Sequence, residues 1–495
     1  MQFMIALRSF AGSIFRRRQR FQADRTNGTT AMQRWLAVIS DLHISNGLLD
    51  DFDEELQTHL TEFLGWFGGR PEPAELVING DFLDFVQAAP WSGRALEGAT
   101  ADGIPLCFTE QQSIQKLCNI EIAHAPTFAA LKTFLANGKN RLVILPGNHD
   151  PDFFWPRVRT RIAELLGVSL DSGHLQFCLE GSYRPKGLNW LLIEHGHRYD
   201  KVNSFDVNGH ERWSAEEPPI LKSKDGEERL YECIGTRFLI RYLNGLDARY
   251  PFVDNVKPFS RFLKIFGASA LTLGWGPLDA AVCVAKMLPY AMRVAVSNRG
   301  DLMGIDAPVS VDESHPLVSW IVEATDTERQ ELADTLRRNG FDLTMPLDVL
   351  ATRTEDVGLL AEFLAEHPQL VSDLGEKDPS LLGDQEGTLG LKEAYNVNET
   401  EDLYQGAVEA ALGEINTVIM GHTHEPFERR GHGLAYFNTG SWTRYYRFQD
   451  NEKTRPWHIL KQKSYENFPY SLRYALVRPG ANIATVEIWP EGRTS

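Results

Sequence analysis

The first stretch that bears on the fold reads WLAVISDLH and occupies residues 35–43. Its apolar run has the length of a buried strand, and it ends on the polar side chains of Asp41 and His43. Four further apolar runs end on polar residues in the same way, at residues 75–79, 141–145, 189–194 and 416–420. Between the first two runs, residues 51–67 carry apolar side chains at helical spacing. Strands that alternate with helical segments predict an α/β fold layered around a sheet.

Polar motifs follow all five predicted strands. After DLH the chain carries GDFLD at residues 80–84, GNHD at 147–150, HGH at 195–197 and GHTH at 421–424. Six of the fourteen histidines lie in these five motifs, so histidine is concentrated there. Because adjacent strand ends in an α/β sheet converge on one crevice, we expect these side chains to lie together.

The side chains of the motifs form a ligand set for metal ions. Asp and Asn supply oxygen, His supplies nitrogen, and no motif contains cysteine, a combination that suits Mn, Fe or Zn. In Asp-x-His and His-x-His, side chains two apart on an extended chain point the same way, so both can face one site. A carboxylate that bridges two cations about 3.5–4 Å apart is typical of sites for phosphoryl transfer.

In this order the motifs resemble those of the calcineurin-like metallophosphoesterase superfamily, which run DxH, GDxxD, GNH(D/E), HxH and GHxH. The resemblance covers roughly residues 33–204 and 412–445. It implies a metallophosphoesterase-type β-sandwich flanked by helices, and a hydrolase that acts on phosphoric ester or anhydride bonds.

The resemblance also implies a role for individual residues. One metal would take Asp41, His43, Asp81 and His424, and a second would take Asp81, Asn148, His195 and His422. Asp81 would therefore bridge two divalent or mixed-valence ions, with a hydroxide between them as the nucleophile. His149 would assist as a general acid or contact the phosphate.

The narrower similarity is to bacterial members such as the UDP-2,3-diacylglucosamine pyrophosphatase group, through the order HGHxxD, GHTHEP and FNTGSW. This chain departs from that group in carrying His149 where the group commonly has arginine, and in its insertion of roughly 200 residues. The similarity favours a phosphodiester or pyrophosphate bond in a phosphorylated small molecule or a lipid-nucleotide. A phosphomonoesterase, a protein phosphatase or a nuclease with the same site is the alternative.

Composition narrows the classes of partner and compartment. The chain has 495 residues with 50 basic and 67 acidic side chains, a net charge of −17, so a nucleic-acid partner is not favoured. Five scattered cysteines without a CxxC pair indicate a reducing, cytoplasmic location. A non-catalytic scaffold that binds partners is the alternative of another class. Such chains typically lose ligands, whereas every ligand position is filled here.

We expect three parts in the chain. Residues 33–204 and 406–495 would form the core, and residues 205–405 a mainly helical insertion, or cap, with helical patterns at 229–246, 327–338 and 355–366. Residues 1–32 would form a basic, flexible N-terminal segment, or an over-extended start with Met32 as a later initiator. The alternative interpretation is that this segment makes a peripheral contact with an anionic membrane. The apolar block at 266–296, broken by charges and prolines, predicts the core of the cap.

Overall fold

The computed structural model describes most of the predicted core and the start of the insertion. The described residues are 34–90 except 48 and 50, 107–222 except 201, 202 and 208, 226–233, 235, 236, 239, 240, 244, 255–257, 333, 334, 337, 399–447 except 432, and 465–490. The predictions for residues 1–32, 266–296 and 355–366 lie outside this set. Among the helices that the structure describes, none is both long and apolar enough to cross a membrane.

The described elements are short strands and amphipathic helices. The strands are β1 (Trp35–Ile39), β2 (Ala74–Asn79), β3 (Arg141–Leu145), β4 (Leu175–Phe177), β5 (Ser182–Tyr183), β6 (Leu191–Glu194), β7 (Asp206–Val207), β8 (His210–Glu211), β9 (Ile220–Lys222), β10 (Glu228–Leu230), β11 (Val256–Lys257), β12 (Thr417–Met420), β13 (Phe427–Gly431), β14 (Leu434–Asn438), β15 (Tyr446–Arg447), β16 (Leu472–Val477) and β17 (Thr485–Trp489). The α-helices are α1 (Glu54–Gly68), α2 (Glu110–Ala123), α3 (Ala125–Ala136), α4 (Pro156–Leu166) and α5 (Glu399–Ala410).

Two sheets make up the centre of the molecule. The first has six strands in the order β17-β16-β1-β2-β3-β4, with β1 to β4 parallel and β16 and β17 antiparallel to their neighbours. The second has five strands in the order β13-β14-β12-β6-β5, with β6, β12 and β14 parallel. Both sheets therefore keep a parallel centre, which places several strand ends side by side.

Alternation along the strands divides the core into layers. Leu36 and Val38 of β1 pack between the sheets, in one cluster with Ile419 of β12. The intervening Ala37 and Ile39 belong to the cluster that the first sheet forms with helices α1 to α4. Helix α5 covers the outer face of the second sheet. The result is a β-sandwich with helices on both sides, which confirms the predicted fold class.

Helix α1 shows how the sequence sets an element. The side chain of Asp53 accepts a hydrogen bond of 2.9 Å from the N–H of Leu56 and so caps the helix N-terminus. Glu54 and Glu55 place negative charge in the first turn, where the helix dipole favours it. The buried face of the helix contains Leu56, Leu60, Phe63, Leu64 and Phe67, so the helical spacing noted at residues 51–67 is confirmed.

The start of the insertion differs from its prediction. Residues 206–211 form a short hairpin of β7 and β8, and β9 pairs with β10. The helical pattern predicted from residue 229 is therefore wrong at its beginning, since Glu228–Leu230 is a strand. Pairing with β9, together with a 2.9 Å bond from the Leu230 N–H to the Phe108 carbonyl, outweighs the local helical preference.

We expect Asn140→Ala to destabilise the fold and leave metal affinity unchanged. The buried Asn140 amide accepts from the N–H of Ala74 and donates to the carbonyls of Phe134 and Gly68, so it ties β2 to α1 and α3. Removing it leaves buried polar groups unpaired, which costs about 2–3 kcal/mol. Urea denaturation measures the loss, and an unchanged unfolding free energy would contradict this account of the contact.

Candidate metal centre

Five loops meet at one edge of the sandwich, after β1, β2, β3, β6 and β12. The backbone N–H of His43 donates to the carbonyl of Asp81 at 3.0 Å, which joins the first two loops. The N–H of Gly421 donates to the carbonyl of His195 at 3.0 Å, which joins the last two. The N–H of His149 donates to Oδ1 of Asp81 at 2.9 Å and brings in the third. The convergence expected from the sequence is therefore present.

Three groups of side chains lie close enough to hold a metal ion, with ligand atoms within 4.8 Å of one another. They are Asp41 with His43, Asp81 and His424; Asp81 with His195 and His422; and His43 with Asp84 and His149. Asn148 lies beside the second group, since its Oδ1 is 3.3 Å from Nε2 of His195. The structure thus brings together all seven residues predicted as ligands, with Asp81 common to the first two groups.

Asp81 provides the test of whether a cation fits here. Its Oδ2 atom is buried and has no hydrogen-bond donor among the described residues. Nε2 of His195 lies 3.1 Å away, but Nδ1 of that ring donates to the carbonyl of Asn79 at 2.8 Å. In the neutral ring Nε2 therefore carries a lone pair, which faces the carboxylate oxygen. A cation between these atoms would satisfy both.

His422 is arranged in the same way. Its Nε2 donates to Oδ2 of Asp200 at 3.2 Å, which leaves the lone pair of the neutral ring on Nδ1. That Nδ1 atom is buried and lacks a hydrogen-bond partner within the part of the chain that the structure describes. Nε2 of His43 and Nε2 of His424 also face each other, at 2.9 Å. The donor set therefore fits divalent cations.

The backbone of the ligand residues is strained. Asp41, His43, Asp81, His422 and His424 all have positive φ angles, between 47° and 74°. Among the described residues the one other non-glycine with positive φ is Cys107. Each such residue costs about 1–3 kcal/mol, and positions of this kind cluster at functional sites because the surrounding fold holds them there. The chain is not extended at Asp41 and His43, so this backbone, and not the strand alternation expected from the sequence, directs their side chains.

Glycines in the motifs allow the loops to approach each other. A Cβ atom on Gly147 would lie 2.2 Å from Oδ1 of Asp81, and one on Gly421 would lie 2.4 Å from Oδ2 of Asp41. A Cβ on Gly80 would lie 2.2 Å from Nδ1 of His195. Each distance is far below van der Waals contact, so only glycine fits beside these ligands.

Asp84 orients two histidines at once. Its Oδ2 accepts from Nδ1 of His43 at 3.0 Å and from Nδ1 of His149 at 2.8 Å. Asp84 is thus a carboxylate that orients two histidines. Asp150 instead accepts from the backbone N–H groups of Phe82 and Gly147 and so fixes the loops.

Electrostatics in the site lower the pKa of Asp81 and that of Asp84 and so keep negative charge on these two carboxylates, whereas burial raises the pKa of Asp41. Burial alone would raise the pKa of Asp81, but the His195 and His149 rings lower it well below its usual value. Burial alone would lower the pKa of His195, yet the carboxylates, chiefly Asp81, raise it to about 9. The pKa of His149 is likewise raised to about 9, by Asp84 and Asp81 against the effect of burial. Positive charge is thus favoured at the centre of the site.

His197 and Asp200 complete the surroundings of the second group. His197 is buried against the edge of Trp213, with ring centroids 4.4 Å apart, and 5.4 Å from His195. It belongs to none of the metal-binding groups found among the described residues. Asp200 is the last residue of the HGHxxD motif, five residues after His195, but nothing in the sequence indicated that it would orient His422.

Residues 34–232 match the family model described as calcineurin-like phosphoesterase. This match supports the superfamily indicated by the motifs. Together with the groups of histidines and aspartates that could bind metal, the match supports the interpretation of this protein as a metal-dependent phosphoesterase. No curated protein matches the chain, so the narrower similarity to the UDP-2,3-diacylglucosamine pyrophosphatase group stays a prediction.

We expect Gly147→Ala to abolish tight metal binding in a folded protein, because the new methyl group would displace the Asp81 carboxylate. Gly65→Ala is the matched control, since a Cβ there meets nothing within 4 Å. Elemental analysis after gel filtration measures the bound metal. Metal content in Gly147→Ala equal to that of the control would show that the close approach does not matter.

Proposed function

We propose that this protein hydrolyses a phosphodiester or pyrophosphate bond with two divalent cations held on either side of Asp81. The observation that carries the proposal is the Asp81 carboxylate, which belongs to both groups of ligands and whose buried Oδ2 lacks a hydrogen-bond donor among the described residues. One shared carboxylate between two sets of donors is the arrangement expected of a two-metal site.

Each cation would have its own ligands beside Asp81. Asp41, His43 and His424 would hold the first, and Asn148, His195 and His422 would hold the second. Two such ions supply a hydroxide nucleophile at neutral pH and neutralise the charge of the phosphate. All ligands are of the oxygen and nitrogen type, which suits Mn, Fe or Zn.

His149 would handle the proton of the leaving group. Its Nδ1 donates to Asp84, so Nε2 is the atom left to meet a substrate. Its side chain is 13% exposed, against 1% for that of His195 and 3% for that of His43, so it lies toward the open side of the site. Held with a raised pKa by two carboxylates, the ring carries a proton that it can donate as the bond breaks.

The substrate class follows from the motifs. HGHxxD and GHTHEP, residues 195–200 and 421–426, are similar to those of pyrophosphatases that act on lipid-nucleotides, and this similarity supports a diester or anhydride of a phosphorylated small molecule. Monoesters, phosphoproteins and nucleic acids are the competing substrates for the same site. A scaffold without catalysis is disfavoured because every ligand position is occupied by a donor.

We expect hydrolysis of bis(4-nitrophenyl) phosphate or of a nucleotide sugar anhydride to require Mn, Fe or Zn. Chelation should remove the activity, and returning the metal should restore it, because Oδ2 of Asp81 and Nδ1 of His422 are buried without a hydrogen-bond partner among the described residues and are free to bind a cation. Turnover in the presence of excess chelator would contradict the metal-dependent function. Faster turnover of monoesters than of diesters and anhydrides would contradict the proposed bond type.

We expect His149→Gln to lower kcat by about 10²–10⁴-fold and to leave the metal content unchanged, because the ring handles a proton rather than a cation. The exposed His210 provides the matched control, His210→Gln, which should retain full kcat. Steady-state kinetics with elemental analysis of both variants is the measurement. A His149→Gln variant that loses metal, or keeps wild-type kcat, would rule out this role.

A further inference from the structure

A chain of polar contacts, buried at both ends, connects two of the proposed ligands of the second metal. It runs from Asn148 through Thr236, Cys233, Asn203 and Asp200 to His422. We name these four intermediate residues the relay. Thr236 is 2% exposed, Cys233 is fully buried, and both lie just beyond the residues that match the phosphoesterase family.

The first half of the relay supports Asn148. The hydroxyl of Thr236 donates to the backbone carbonyl of Asn148 at 3.3 Å. Since its hydrogen is committed there, Oγ1 of Thr236 can accept from the thiol of Cys233, whose Sγ lies 3.1 Å away. Burial raises the pKa of Cys233 to about 12, so the thiol keeps its hydrogen and can donate.

The second half supports His422. Because the single thiol hydrogen is given to Thr236, the sulfur only packs against Oδ1 of Asn203, 3.8 Å away, and the amide of Asn203 donates to Oδ2 of Asp200 at 2.6 Å. That oxygen also accepts from Nε2 of His422 at 3.2 Å. A carboxylate that holds one ring nitrogen fixes the lone pair of the other, which is the form a metal ligand needs.

The ligands proposed for the first metal have different supports. His43 is oriented by Asp84, which lies in the loop after β2. Asp41 accepts from the backbone N–H of His422 at 3.0 Å, and its own carbonyl accepts from the N–H of Trp442. None of these contacts involves Cys233 or Thr236, which lie in the insertion, whereas Asp200 and Asn203 lie in the loop after β6 that leads into it.

We propose that the relay Asp200–Asn203–Cys233–Thr236 sets the affinity of the second metal site and leaves the first site alone. The inference rests on the proposed two-metal function. It makes the start of the insertion a positioning element, because a shift of this segment moves Asn148 and His422 together.

The test is titration of the metal-free full chain with Mn²⁺ by calorimetry. Thr236→Val removes the hydroxyl while keeping the shape of the side chain, so it breaks the relay at Asn148. Loss of such an orienting contact typically weakens metal binding by about 10–100-fold. We therefore expect one of the two binding steps to weaken at least about tenfold and the other to stay unchanged.

Thr127→Val is the matched control, since Thr127 is equally buried and donates to Gln57 away from the metal ligands. Two double variants show which of the two metal sites Thr236→Val affects. In Asn148→Ala, where the second site is already impaired, adding Thr236→Val should change nothing further. In His43→Ala, where the first site is impaired, adding it should weaken the remaining binding step.

Equal weakening of both steps by Thr236→Val, or of neither, would overturn the relay. If Thr236→Val fails to fold by circular dichroism, Cys233→Ala, which breaks the relay at its centre, must show the same one-step loss. A wild-type chain that binds a single Mn²⁺ would instead contradict the two-metal function itself, so the two failures can be told apart.

Discussion

The structure depends on a concentration of lone pairs around Asp81. Oδ2 of Asp81 and Nδ1 of His422 are buried and have no hydrogen-bond partner among the described residues, and Nε2 of His195 lies 3.1 Å from the same carboxylate oxygen. Burying such groups unpaired costs several kcal/mol, so the arrangement is stable only with positive charge between them. A proton on His195, whose pKa is raised to about 9, supplies part of this charge. Divalent cations supply it more completely.

The sandwich provides the rigidity that this arrangement requires. Five ligand residues have positive φ angles, and three motif glycines leave no room for a Cβ atom. Such a backbone persists only where surrounding contacts determine it. The parallel strands β1, β2, β3, β6 and β12 are buried between two helical layers, and their ends cannot shift independently. Packing of the core therefore stabilises the strained backbone of the ligand residues.

Much of this could be predicted from the sequence, because the apolar runs are short and each ends on a polar motif. The strand ends at Asp41, Asp81 and Asn148 follow from that pattern, and so does the convergence of the ligands. The start of the insertion could not be predicted. The local sequence there favours a helix, but pairing of β10 with β9 makes it a strand. The contact between Thr236 and Asn148 could not be predicted either, because it joins residues 88 positions apart without a local signal.

The central claim is that two cations share Asp81. Anomalous X-ray diffraction at the manganese edge, on crystals of the full chain grown with Mn²⁺, tests it directly. The account predicts two peaks about 3.5–4 Å apart, both within bonding distance of the Asp81 carboxylate. A single peak, or two peaks of which one lies away from Asp81, would contradict it.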